Sequence, residues 1–287
     1  MLTVFHVSDL HFGRPTVPEQ IEAIESIVQA HRFDVVAISG DLSQRARSGE
    51  FQRAQAFIRD ANKVSKTIVV PGNHDVIWWK APLGIGDKER PYENYRRYIT
   101  EDLEPVLRVP GATFVGINTA KGVTRHTLTW RLRDISIIGA VNKSQIDRAR
   151  EEFEGSPADA ARVIVMHHNP VKGELSGRHG LKDTRRVLGV FAQIGVDLVL
   201  CGHDHQEAVH YIEHTQKGTV ISTAGTVSSR STCCASTRIS TTTRRRSTAG
   251  WIASRPANRS SPISRHRVSS CRKGRTSCAC PAPDAPA

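Results

Sequence analysis

Residues 2–11 read LTVFHVSDLH. A run of β-favouring residues, Leu2 to Val7, passes directly into a polar pair, Asp9 and His11. The same grammar returns four times. Val35 to Ser39 precedes Gly40-Asp41, and Ile68 to Val70 precedes Gly72-Asn73-His74-Asp75. Val163 to Met166 precedes His167-His168-Asn169-Pro170, and Leu198 to Cys201 precedes Gly202-His203-Asp204-His205. In open α/β sheets ligands bind beyond the carboxyl ends of the strands. The five clusters are therefore expected to converge on one rim.

Amphipathic stretches fill the gaps between these runs. Pro18 suits the first position of a helix, and Ile21, Ile24, Ile27 and Val28 then share a face. Phe51, Ala54, Phe57, Ile58 and Ala61 make a second stripe. Ile146, Ala149 and Phe153 make a third, and Val187, Phe191 and Ile194 a fourth. Ile135 to Ala140 and Thr219 to Ser222 read as further strands. Strands alternating with helices predict an α/β fold containing parallel pairs.

The residue types at the strand ends are those of metal ligands. Carboxylate and imidazole suit Mn, Fe and Zn, and a carboxylate can bridge two ions. In an extended chain residues i and i+2 point the same way, so Asp9 with His11, and His203 with His205, can each address one site. Glycines beside Asp41, Asn73 and His203 permit tight turns. Each cluster alone is a weak signal; five in order are a strong one.

The ordered set Asp9-x-His11, Gly40-Asp41, Gly72-Asn73-His74-Asp75, His167 and Gly202-His203-x-His205 resembles the calcineurin-like metallophosphoesterase superfamily over residues 1–227. Within it, the His-His-Asn-Pro motif and an aromatic-rich insert resemble the bacterial branch containing class III cyclic-nucleotide phosphodiesterases. The resemblance implies a four-layer αββα sandwich, with two mixed sheets face to face and helices outside. It implies two divalent metal ions, Mn, Fe or Zn. One ion would take Asp9, His11 and His205; the other would take Asn73, His167 and His203; Asp41 would bridge them. His74 would be the catalytic histidine that protonates the leaving oxygen. Of the two adjacent histidines, His167 is assigned to metal and His168 to substrate, with Arg45 as a further substrate contact. An exposed arginine at a helix start is the plainer reading of Arg45. Two ions clamp a phosphoryl group and sharpen an attacking hydroxide between them, which implies in-line displacement.

Residues 76–110 interrupt the strand–helix rhythm with Trp78, Trp79, Tyr92, Tyr95 and Tyr98. They read either as a cap over the site or as aromatics packed on the body, the commoner use of such mass. At Ser228 the composition changes abruptly. Residues 228–287 hold 12 Lys and Arg against one acid, Asp284, so the tail carries almost all of the net charge of +12. They hold no Leu or Phe, 20 Ser and Thr, and five of the six cysteines. Such a segment has little to bury and is expected to be disordered. It reads either as the product of a shifted reading frame or as a basic arm. On this reading the tail supplies no strand, and the sheet edge at Thr219 to Ser222 is left poorly covered. Cys201, after an apolar run, reads as an inert buried thiol.

The near-neutral body argues against nucleic acid as its partner. No apolar run is long enough to span a membrane, and residues 1–13 lack the pattern of a secretory leader. The expectation is a cytoplasmic enzyme, open to homodimer formation. It is a binuclear phosphodiesterase acting on a small-molecule phosphodiester of cyclic-nucleotide or glycerophosphodiester type. A phosphomonoesterase, a nuclease of the same superfamily and a metal-free scaffold are the alternatives.

Overall fold

The computed structural model describes residues 2–13, 16–77, 90–121, 138–171, 180–214 and 218–227. It also describes the backbone of 237–242 and 250–253. The strands are β1 (Leu2–Val7), β2 (Val35–Ile38), β3 (Lys66–Val69), β4 (Val106–Val109), β5 (Ala112–Ile117) and β6 (Ala161–Met166). They continue with β7 (Leu198–Cys201), β8 (Ala208–Ile212), β9 (Thr219–Thr223), β10 (Thr237–Thr242) and β11 (Gly250–Ala253). The helices are α1 (Pro18–His31), α2 (Ser48–Ala61), α3 (Glu93–Tyr98), α4 (Lys143–Glu154) and α5 (Thr184–Gln193). Among these described residues no helix is long and apolar enough to cross a membrane.

One sheet runs β11-β10-β1-β2-β3 and the other β4-β5-β6-β7-β9-β8. β1, β2 and β3 pair in parallel, as do β5, β6, β7 and β9. The outer strands β4 and β8 and the β10–β11 pair are antiparallel, so both sheets are mixed.

Strand periodicity of two sorts the side chains into layers. Leu2, Val4, Val35, Ala37 and Ile68 of the first sheet meet Phe114, Val163, Val165, Leu198 and Leu200 of the second in one cluster between the sheets. The alternate residues Phe5, Val7, Val36 and Ile38 face outward onto Ile21, Ile24, Phe51 and Phe57 of α1 and α2. Val115, Ile164, Met166 and Val199 face outward onto Ile146, Phe153, Val187 and Phe191 of α4 and α5. The expected αββα sandwich is present.

Several details depart from the sequence reading. Thr219 to Ser222 is not an edge, because β9 lies between β7 and β8. The edge strand β8, Ala208-Val-His-Tyr-Ile212, alternates too weakly in polarity to stand out. Within the tail, β10 and β11 are strands, where apolar content argued for none. β10 is Thr237-Arg-Ile-Ser-Thr-Thr242, rich in β-branched residues, and its backbone pairs with the open side of β1. The rest of the tail, with its cysteines, lies outside the described residues. Of the expected strand Ile135 to Ala140, residues 135–137 also lie outside them, and Gly139 makes only an isolated bridge to Leu181. Finally, β4 lies at the end of the aromatic-rich stretch 76–110 and β5 follows it, buried along its whole length.

Within the insert, Trp78 and Trp79 lie outside the described residues. Tyr92 and Tyr95 are buried in the body. The Tyr95 ring stands edge-on to Phe51 of α2, with centroids 6.0 Å apart. For these tyrosines the packing reading holds.

Candidate metal centre

The carboxyl ends of β1, β2, β3, β6 and β7 bring their polar clusters together, as the sequence predicts. Two groups of donor atoms form. In the first, His205 Nε2 lies 3.2 Å and His11 Nε2 3.7 Å from Asp9 Oδ1. The two imidazole nitrogens are 3.2 Å apart, and Asp41 Oδ2 is 3.8 Å from His11. In the second, Asn73 Oδ1 lies 3.0 Å from both His167 Nε2 and His203 Nδ1. Those nitrogens are 3.3 Å apart, and Asp41 Oδ2 is 3.3 Å from His167. Asp41 therefore faces both groups.

These spacings fit an ion. Donors bound at about 2.0–2.2 Å to one tetrahedral ion stand roughly 3.4 Å from each other. Two imidazole nitrogens at such a distance cannot both offer lone pairs to each other with profit; a shared cation resolves the crowding. The histidine tautomers agree. His167 Nδ1–H donates to the Ser39 carbonyl at 2.9 Å, which leaves Nε2 as the donor atom facing Asn73.

The electrostatics ask for positive charge. Burial works against the ionised form of Asp9, but the imidazoles of His11 and His205 outweigh it and hold it well below the usual carboxylate range. Asp41 is likewise buried and is held low by His167, His11 and His74. For His167 burial lowers, but the Asp41 charge and contact prevail and lift it to about 9. His203 is pushed down to about 3 by burial and by His167, which keeps its ring neutral. His205 is 46% exposed and marks the open side of the site.

The backbone sets this geometry differently from the sequence expectation. Asp9-x-His11 and His203-x-His205 are not strand ends with alternating faces. Asp9, His11, Asp41, His203 and His205 all sit in the left-handed region, with φ of 54°, 46°, 51°, 76° and 56°. Such backbone is uncommon for residues with a Cβ, and Asp and His are among those that tolerate it. The turns need glycine nearby. A Cβ on Gly72 would collide with Asp41, and one on Gly202 with Ser8 and Asp9.

His74 lies in the short turn Asn73–Asp75. Its backbone N–H donates to Asp41 Oδ1 at 2.8 Å, turning Oδ2 toward the two groups. Its Nδ1–H donates to the Gln44 carbonyl at 2.9 Å, and its ring stands edge-on to His11 at 4.8 Å. Arg45 has an exposed side chain, and its backbone N–H donates to Glu50. His168 is buried, with Nδ1 2.7 Å from Thr119 Oγ1 and its ring 4.6 Å from that of His203. His167, His168 and His203 also form a group whose ring nitrogens lie within 4.8 Å of each other.

Sequence reasoning assigned no role to Asp75. Its buried carboxylate accepts from the backbone of Leu42, Ser43 and Gly72 and from the Ser43 hydroxyl. It ties the loop carrying Asp41 to the loop carrying Asn73. Burial and the neighbouring Asp41 charge raise it to about 6. Its place in the Gly72-Asn73-His74-Asp75 motif was the available signal. Asn169 was also passed over; its Nδ2–H donates to Asp204 at 2.8 Å and clips the His167 loop to the His203 loop. Cys201 is buried, and burial pushes its thiol up to about 12.

A family model described as calcineurin-like phosphoesterase matches residues 2–207. Among curated proteins, the 3′,5′-cyclic adenosine monophosphate phosphodiesterase CpdA of Escherichia coli K12 is 25% identical over 199 residues, covering 65% of this chain and 61% of the relative. The chain thus spans less than two thirds of the curated relative's length. Among solved structures, a dimetal phosphatase from Danio rerio superposes with a TM-score of 0.58 at 13% identity, covering 83% of this chain and 92% of that one. Purple acid phosphatase PPD1 from yellow lupin seeds gives a TM-score of 0.58 at 13% identity, covering 90% of this chain and 46% of that one. At such identity these two structures show the shared fold.

Proposed function

The chain belongs to the calcineurin-like phosphoesterases, and from that premise we propose that it hydrolyses small phosphodiesters at a centre of two divalent ions. The observation that carries the reading is the pair of donor groups sharing Asp41, each with spacings suited to one ion. Asp9, His11 and His205 would hold one ion, and Asn73, His167 and His203 the other. When bound, the ions supply charge to the phosphoryl oxygens and acidify water.

The residues of the chain do the rest. Asn73 donates a neutral oxygen, so an anionic substrate meets no added negative charge there. The Gln44 carbonyl occupies His74 Nδ1–H, so Nε2 is the nitrogen that exchanges a proton with the leaving oxygen. Asp41 carries two duties, one oxygen fixing the His74 backbone and the other facing both donor groups. The similarity to an enzyme named for cyclic AMP hydrolysis makes cyclic nucleotides the first natural diesters to try.

The test compares bis(p-nitrophenyl) phosphate with p-nitrophenyl phosphate, using metal-stripped protein with and without Mn²⁺. Mn²⁺-dependent hydrolysis of the diester, lost in His167→Ala, is the expected result. Preference for the monoester would move the assignment to a phosphatase. Protein that binds no Mn²⁺ would overturn the reading.

A further inference from the structure

We propose that His6, a residue outside both donor groups, is a positioning residue for His167 and acts on it through Ser39. The inference rests on the reading of His167 as a metal ligand.

Its place in the strand is the first observation. Leu2 and Val4 of β1 point into the space between the sheets, and the period of two puts His6 in the same row. Ser39 extends the row of Val35 and Ala37 beyond β2, and His167 extends that of Val163 and Val165 beyond β6. His6 and Ser39 belong to the first sheet and His167 to the second. The three residues therefore meet across the seam between the sheets, and each is fully buried.

Their contacts form a continuous line. His6 Nε2 is 2.9 Å from Ser39 Oγ. The Ser39 N–H donates to the Val7 carbonyl at 3.0 Å. The Ser39 carbonyl accepts from Ser8 Oγ at 3.1 Å and from His167 Nδ1–H at 2.9 Å. Ser39 is thus fixed at its amide, its hydroxyl and its carbonyl. That carbonyl selects the His167 tautomer and aims Nε2 at Asn73 and Asp41. His6 supplies the partner for the Ser39 hydroxyl, without which the hydroxyl would be free to turn to other partners.

A histidine is a poor choice for packing here. Its Nδ1 is buried with no hydrogen-bond partner, and an unsatisfied buried polar atom costs free energy that Leu or Phe would not incur. The penalty makes sense if the ring holds something that matters elsewhere. Partners behind metal-ligating histidines commonly affect metal affinity by 10–100-fold; His6 stands one residue further back, so about 10-fold is expected at the Asn73/His167/His203 group.

The test uses the full chain, stripped of metal and titrated with Mn²⁺ against an indicator chelator, beside thermal melts without metal. His6→Leu should melt at or above the wild-type temperature, yet one of the two Mn²⁺ dissociation constants should rise about 10-fold. Ser39→Ala should weaken the same constant, and the double variant should be no worse than the weaker single variant. His6→Gln, whose amide can still meet Ser39, should restore the constant. Ser39→Ala decides the case if His6→Leu does not fold. Both constants within twofold of wild type in His6→Leu and Ser39→Ala would overturn the inference. So would parallel weakening of both constants with a lowered melt, the mark of a general packing role. His167→Ala separates the two levels. If it loses one ion while His6→Leu loses nothing, only this inference falls; if the wild type binds no Mn²⁺, the function reading falls with it.

Discussion

The two donor groups lie side by side and are made in different ways. Asp9, His11, Asp41 and His205 all sit on left-handed backbone, and the group holds two buried carboxylates. In the second group His203 alone has that backbone; His167 simply continues β6, and Asn73 opens a short turn. That second group is an amide and two imidazoles, and its only negative charge is borrowed from Asp41. The first group is therefore aimed by chain conformation. The second is aimed by hydrogen bonds from behind, above all from the Ser39 carbonyl. Asp41 joins the two ways of building.

Asp41→Ala strikes that joint and should have the largest effect. Replacements behind a ligand already cost 10–100-fold, so loss of a shared ligand should remove both bound Mn²⁺ ions and at least about 100-fold of the hydrolysis. Elemental analysis and diester turnover would read it. One ion retained at wild-type affinity would mean that the groups are independent.

A pH series sharpens the contrast with a smaller effect. His167 is lifted from its ordinary value of 6.5 to about 9, because Asp41 outweighs burial. Its proton therefore stabilises the metal-free fold fully below about pH 6.5, and that stabilisation is lost as pH rises through about 9. Metal binding must displace the same proton, so Mn²⁺ affinity should climb over this window, by up to about tenfold per pH unit for one proton. The melting temperature of metal-free protein should fall over the same range. In His167→Ala that fall should flatten; an unchanged slope would assign the proton elsewhere.

Arg45→Ala should do least. An exposed cation contributes roughly 1 kcal/mol at most, so the KM for a diester should rise by less than about fivefold with kcat unchanged. A larger loss would show that substrate is held outside the two groups as firmly as within them.

What was legible in the sequence follows the strength of its repeats. The five parallel strands that lead to the site each end in a polar cluster, so Asp9, Asp41, Asn73, His167 and His203 fall on one rim from the sequence alone. Helices α1, α2, α4 and α5 followed from stripes such as Phe51, Ala54 and Phe57, whereas α3 within the aromatic insert did not. Among strands without that punctuation, Thr219 to Ser222 was found as β9, but β4, β5, β8, β10 and β11 were missed. β5 carries Gly116 in its interior, and β10 is built of threonines whose β-branching counts for more than their polarity. Within the site, residue types picked out the residues that come together but not the reason for their direction. The left-handed turns at Asp9 and His203 replace the strand alternation expected there. Contacts through backbone atoms, such as His74 to the Gln44 carbonyl, leave no trace in side-chain identity. Asp75 was in plain view beside His74, but its work is to gather backbone amides from a loop more than thirty residues away.

The left-handed turns also set function and thermostability against each other. An Asp or His at φ near 50° carries conformational strain of about 1 kcal/mol that glycine does not feel. Glycine at Asp9, His11, Asp41, His203 or His205 would delete a donor and relax the chain in one step. Each such variant should withstand more denaturant, metal-free, than the alanine variant of the same position. Under random drift with no demand for catalysis, glycine is the replacement these five positions tolerate best.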